Sequence, residues 1–474
     1  MKINFVYDFV SNAGSIVNGI DPLHIKYFFD FNFDLQNQNY VEIVNSKYNG
    51  KFWHWPNTFL YLYGNTDEIC TSDINEIKKD ELYLYPISTQ GDLYEFTSDR
   101  QIKHKTKFFY ISNSFKKLLK ENDNFLIYIE HSMEGYFDSY ILKNIYDLCV
   151  ENDIPFDKVL ITNGSNSNQI TLDDFKEKYD YVKNLPKLVT YNWQVPYKSQ
   201  DMRVAMQLVD EQVGVEKSDT FRSTIATIDH LNNPKIKKAL LLTRRLRMHR
   251  IVLLSLLFND KTIQDTLYSL DMSLNFYPDF KQMLLNEREN IEINIEDDYI
   301  ENVLNGYDLM VKQNKKVVDY ELTPYLSGFG NESKELYENT FFSIVQETEF
   351  SIYQQCSTEK IMQPIMHCHP FVVIGSPYSL KNLKRLGFKT FDKWWDESYD
   401  NEIDDWKRLK KIYEVITILL SKTDIELKNM IFEMKEILIY NQEHLKTFDG
   451  QYINNSLSNV VNEFNSKKNV IRVL

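Results

Sequence analysis

Between Phe341 and Asp400 short apolar runs alternate with helical stretches, and that alternation leaves few folds open to the chain. The run Phe341 to Val345 ends in polar Gln346 and Glu347. A helix then opens at Ser357 or Thr358, and a second apolar run spans Phe371 to Gly375. Ser379 to Leu386 has helical spacing and stops at Gly387, after which Phe388 to Phe391 reads as a further strand. Apolar strands of four to six residues separated by helices predict a parallel sheet covered on both faces. Ligands of such sheets sit at the carboxyl ends of the strands, which here carry Glu347, Glu349, Thr358, Glu359 and Lys360.

The same grammar recurs upstream. FLIYIE (125–130) is a strand, HSMEG (131–135) its exit loop, YFDSYILKNIYDLCVEN (136–152) a helix and KVLITNG (158–164) the next strand. Glu130, His131, Ser132, Glu134 and Asn163 therefore share one rim, where a carboxylate or imidazole can act as general base; Ser132 or Glu134 can equally cap the helix that follows. After a polar boundary at 219–236, Ala239 to Thr243 forms a buried-type strand leading into Arg244, Arg245, Arg247, His249 and Arg250, and a helix runs from Met248 to Phe258. Basic side chains beside free helix N–H groups make a diphosphate site chemically sensible there, with a charged loop in solvent as the other reading. Further strands are expected at 59–64, 81–86, 107–112, 187–193 and 266–274. Residues 275–340 read as helices and loops of low definition. Two amphipathic helices are expected over 403–422 and 423–446 and a third over 454–467.

Composition narrows the chemistry. With 54 basic against 68 acidic residues in 474, the net charge of −14 speaks against binding bare nucleic acid by bulk charge. Four dispersed cysteines form no disulfide framework and fit a reducing compartment. No run of about 18 apolar residues and no secretory leader is visible, so a cytoplasmic protein (in the host cell, if viral) without a membrane span is expected. GxGxxG and GxxxxGK[ST] are both missing. His367-Cys368-His369 resembles a metal cluster, but adjacent side chains diverge, so no metal site is assigned and Cys368 is read as core. Pro364 inside the predicted helix removes a donor to the Lys360 carbonyl and predicts an irregular turn. Trp53-His54-Trp55-Pro56 reads either as a platform for a sugar ring or as packed core.

Thr358-Glu359-Lys360, Pro370 to Gly375, GFKTF and DESYD together resemble the donor-binding half of GT-B glycosyltransferases, most closely the α-1,3-fucosyltransferase type. The fuller pattern, with TRRLRMHR (243–250) and IEHSMEG (129–135), is similar to a group of uncharacterised phage and bacterial proteins predicted to be glycosyltransferases. The resemblance covers about 60 residues and two short islands; Pro364 departs from it, and no fucosyltransferase motif aligns with the N-terminal half.

It implies an α/β chain of two Rossmann-like domains facing a cleft, with C-terminal helices: an acceptor-side domain (1–230), a donor domain (231–440) and a helical tail (441–474). It further implies inverting transfer, without a metal or other cofactor, from a GDP- or UDP-linked sugar to a glycan or other hydroxyl acceptor. Glu359 would hold the ribose; Lys360 and an arginine among Arg244, Arg245 and Arg250 would hold the diphosphate, with Glu347 and Thr358 completing the site. Glu134 is the expected base and His131 the second choice. A non-catalytic virion or surface protein that keeps the fold, and a phage enzyme glycosylating DNA bases, remain as other readings; the sugar, linkage and oligomeric state are not fixed.

Overall fold

Among the described residues every pairing of neighbouring strands except one is parallel. The computed structural model describes residues 3–6, 69–72, 77–79, 81–88, 113–131, 137–190, 225–243, 245–275, 277–286, 293–318, 334–352 and 358–448. The chain divides into two units, Met1–Trp193 with Asp449–Leu474, and Gln194–Phe448.

The first unit carries β1 (Ile3–Val6), β2 (Ile69–Ser72), β3 (Leu82–Ser88), β4 (Phe125–His131), β5 (Val159–Asn163) and β6 (Lys187–Thr190) in the order β2-β1-β3-β4-β5-β6. Helices α1 (Asn113–Glu121), α2 (Ser139–Glu151) and α3 (Asn168–Lys178) precede or join its later strands. Residues of β5 are buried along its whole length, as expected of a strand between neighbours and under helices. The strands expected at 81–86, 125–130, 158–164 and 187–193, and the helix within 136–152, are all present. The expected strands at 59–64 and 107–112, the helix at 454–467 and Trp53 to Pro56 lie outside the described residues.

The second unit begins with β7 (Lys237–Leu242), α4 (Met248–Asn259), β8 (Thr266–Asp271), α5 (Phe280–Asn286), α6 (Asp297–Gln313) and β9 (Lys315–Lys316). It continues with α7 (Lys334–Glu338), β10 (Thr340–Gln346), α8 (Glu359–Met366), β11 (Phe371–Ile374) and α9 (Ser379–Arg385). Three helices follow: α10 (Asp405–Ser421), α11 (Asp424–Glu433) and α12 (Lys435–Lys446). The sheet order is β11-β10-β7-β8-β9, the Rossmann order with the last strand antiparallel. From β7 the chain winds outward through α4 to β8, and from β10 outward in the other direction through α8 to β11. Right-handed crossovers then put α4 and α8 on opposite faces. Side-chain alternation agrees: Ala239 and Leu241 join the core built with α4, whereas Leu240 packs on Leu336 and Tyr337 of α7.

Apolar on every side, α4 is buried from Met248 to Phe258. It fits against α6 because Gly306 leaves no side chain there; a Cβ at that position would stand 1.7 Å from the Ser255 carbonyl oxygen. Two-residue β9 closes the sheet edge with Lys315 and Lys316, the latter 3.9 Å above the Tyr268 ring.

Several expectations need correction. Within 275–340, where helices and loops are expected, α6 is a helix of 17 residues; 276, 287–292 and 319–333 lie outside the described residues. Phe388 to Phe391 is not a strand. Asn441 of α12 occupies the place of a strand partner: its Oδ1 accepts from Lys389 N at 2.8 Å and its Nδ2 donates to Lys389 O at 2.8 Å. The single helix expected over 423–446 is two, broken at Met434 after a Thr423–Glu426 capping box opens the first. α8 runs through Pro364 and ends at Met366, and Cys368 just beyond it takes a left-handed φ of 50°.

Candidate functional site

Strand order in the second unit reverses between β7 and β10, and the carboxyl ends of those strands splay into the crevice where such sheets bind ligands. Two loops border it, Thr243 to Arg247 after β7 and the segment from Glu347 to Thr358 after β10, of which 353–357 lie outside the described residues. They are stitched together. At the strand ends Thr243 Oγ1 donates to Gln346 Oε1 in a short hydrogen bond. Above it, Arg247 pairs with Glu349 at 3.0 Å. From the first turn of α4, Arg250 donates to the carbonyls of Gln346 (3.1 Å), Glu347 (2.7 Å) and Arg245 (2.8 Å). His249 Nε2 lies 3.1 Å from the Glu347 carbonyl.

These contacts divide the basic cluster by role. Arg245 is exposed on the rim and Arg247 half-exposed, while Arg250 is only 4% exposed and bonded to backbone. The position of Arg250 is that of a brace fixing the loops, and the solvent-facing charge comes from its neighbours. His249 is likewise not part of a cationic face. Burial first, then the Arg250 charge, holds its pKa well below the ordinary histidine value, so it is neutral. Arg244 lies outside the described residues.

Across the crevice Glu347 is fully buried and its carboxylate reaches the start of α8. Oε1 accepts from Thr358 N at 3.0 Å and Oε2 from Thr358 Oγ1 at 2.5 Å. Thr358 is the N-cap, its hydroxyl accepting from Lys360 N. Lys360 Nζ sits 3.1 Å from Thr348 Oγ1 and 3.2 Å from Thr358 Oγ1. Glu347 thus anchors the helix start, and Lys360 is the half-buried ammonium that start presents. Glu359 is the first residue of α8. Below Lys360 a small cleft is lined by Leu240, Leu242, Tyr337 and Gln363.

In the first unit His131 ends β4 beside Asn163 of β5, buried at 1% exposure with its ring 5.4 Å from that of Phe137. Glu134 lies outside the described residues. His367, Cys368 and His369 are core: His367 Nδ1 accepts from Ala226 N at 3.0 Å and stacks on Tyr337, while His369 Nδ1 is 2.8 Å from Ser343 Oγ. Among the described residues no cluster of metal-ligating side chains occurs.

Sequence reasoning passed over Arg408 of α10. Its side chain is 1% exposed and reaches the segments that leave β10 and β11, donating to Gly375 O at 3.1 Å and to Phe350 O. In the run WKRLKK it looks like one more solvated cation; only its place on the buried stripe with Trp406, Leu409 and Ile412 gives it away.

No protein-family profile and no curated protein matches the chain. Among solved structures it is similar to the N-terminal domain of Candida albicans trehalose-6-phosphate phosphatase, with a TM-score of 0.37 and 12% identity over 96% of both chains. It is also similar to an alpha,alpha-trehalose-phosphate synthase (UDP-forming) from Burkholderia vietnamiensis. There the TM-score is 0.33 and the identity 9%, over 81% of this chain and 76% of that one. Likenesses this shallow carry no functional argument; the architecture rests on the strand orders themselves.

Proposed function

We propose that the chain is a glycosyltransferase that moves a sugar from a nucleotide-sugar donor to a hydroxyl acceptor. One observation carries the reading: the reversal of strand order in the second unit brings the exposed Arg245 and the start of α8, with Lys360, to one crevice. A diphosphate there meets two cationic side chains and the N-termini of α4 and α8. Negative charge grows on the departing nucleoside diphosphate as the anomeric bond breaks, so cations fixed at that spot lower the barrier. Glu359, at the first position of α8, holds the ribose hydroxyls.

Transfer is by direct displacement. The acceptor hydroxyl loses its proton to Glu134, the acceptor oxygen bonds to the anomeric carbon, and the bond to the diphosphate oxygen breaks with inversion. His131, at the end of β4, is the second candidate for that base. Charge on the leaving group is met by side chains, and activity is expected to persist in chelator.

The deciding experiment is calorimetric titration with UDP and with GDP. Binding of either, weakened at least tenfold in Lys360→Ala and in Arg245→Ala, supports the site. Failure of the wild-type chain to bind both removes the reading. For the base, Glu134→Ala at saturating donor should lose about 10²–10⁴ in kcat; full turnover would place the base elsewhere.

A further inference from the structure

Burying a guanidinium is costly, and a helix that only needed to pack would carry an apolar side chain at such a place. Yet Arg408 is the largest fully buried side chain among the described residues. Its Nε donates to Gly375 O at 3.1 Å, at the end of β11. Nη1 donates to Glu402 O and Ile403 O at 2.9 and 3.2 Å, and Nη2 to Phe350 O and to Asp405 Oδ1. Its Cζ stands over the Phe350 ring, 4.0 Å from the centroid. On the same ring stacks His249, at 5.0 Å and 9°, whose Nε2 meets the Glu347 carbonyl. The turn from Glu347 to Phe350 is therefore clamped from α10 by Arg408 and from α4 by His249 and Arg250. That turn carries the carboxylate that caps Thr358 and the hydroxyl of Thr348 that holds Lys360.

We propose that Arg408 is a positioning residue for nucleotide binding, acting through Phe350 and Glu347 to fix the start of α8 and with it Lys360. This role rests on the site reading above. A lysine cannot replace it, because a single compact ammonium cannot span the carbonyls of Gly375, Phe350, Glu402 and Ile403 as the guanidinium fork does.

The test is a double-mutant cycle. Nucleoside diphosphate affinity is measured by calorimetry for wild type, Arg408→Lys, Lys360→Ala and the pair, below the melting transition of each. Arg408→Lys is expected to weaken UDP or GDP binding about tenfold in the folded protein, and to have almost no further effect once Lys360 is gone. A purely structural role would lower the melting temperature and leave affinity unchanged. If Arg408→Lys does not fold, Phe350→Leu removes the ring between the clamps and leaves the cation bonded; the same tenfold loss, absent in the Lys360→Ala background, is expected. Wild-type affinity in these variants, or losses that simply add to that of Lys360→Ala, overturns the role while leaving the site. If wild type binds neither nucleotide, site and role fall together.

Discussion

The carboxylate of Glu347 is the residue on which the crevice turns. It is fully buried and accepts from both the amide and the hydroxyl of Thr358, so the first turn of α8 hangs on one side chain. Glu347→Gln preserves shape but puts an amide N–H₂ where an acceptor is required, leaving a buried donor unmet. A loss of about 1–3 kcal/mol in urea unfolding is expected, with weaker nucleotide binding in the same variant. Thr358→Ala should cost about 1 kcal/mol by removing the cap. Glu347, Thr358, Glu359 and Lys360 were legible as neighbours at a strand end, because apolar runs followed by polar residues announce where strands stop. What the sequence could not convey is which charges face inward. Arg245 and Arg250 stand five positions apart in one basic run, yet one is exposed and the other is bonded to three carbonyls.

At the scale of elements, two contacts decide how the helices sit. Gly306 lets α6 lie directly on α4, and a methyl group there would stand 1.7 Å from a backbone oxygen. Because the obstacle is backbone, the helices must separate; Gly306→Ala is expected to destabilise by roughly 3 kcal/mol, measurable as a shifted denaturation midpoint. Asn441 holds the segment around Lys389 through both ends of its amide. Asn441→Ala leaves that peptide unmet and should cost about 1–3 kcal/mol. Period and punctuation fixed β4, β5, β7, α4, β10 and β11 in advance, because buried parallel strands are continuous apolar runs. They failed at Phe388 to Phe391, where the backbone of Lys389 is matched by a side chain from a distant helix, which no local pattern records.

At the scale of the molecule, buried neutral histidines give stability a pH dependence. Burial pushes His230 down to about 4, and His249 and His369 lie well below the ordinary value. Lys235 stands against His230, and Arg250, Arg247 and Arg408 near His249, each opposing a further positive charge. Below about pH 6.5 the unfolded chain binds protons that the folded chain refuses, so stability should fall as pH drops through 6 and 5. Each such histidine contributes up to about 1.4 kcal/mol per pH unit. Urea unfolding at pH 7 and pH 5 measures the slope, and His230→Gln should make it shallower.

The edge of the second sheet has a consequence for behaviour at high concentration. An open strand edge recruits other chains, and this sheet ends instead in two residues running the opposite way, both lysines. Lys316 stands over Tyr268, and Lys315 lies 3.4 Å from Asp271, so both charges border the edge backbone. Replacing both with valine would leave an uncharged border, while the crevice between β7 and β10, from which β9 is separated by β8, stays intact. Such a variant should bind ligand normally and scatter light as it is concentrated, which would assign those two lysines to solubility.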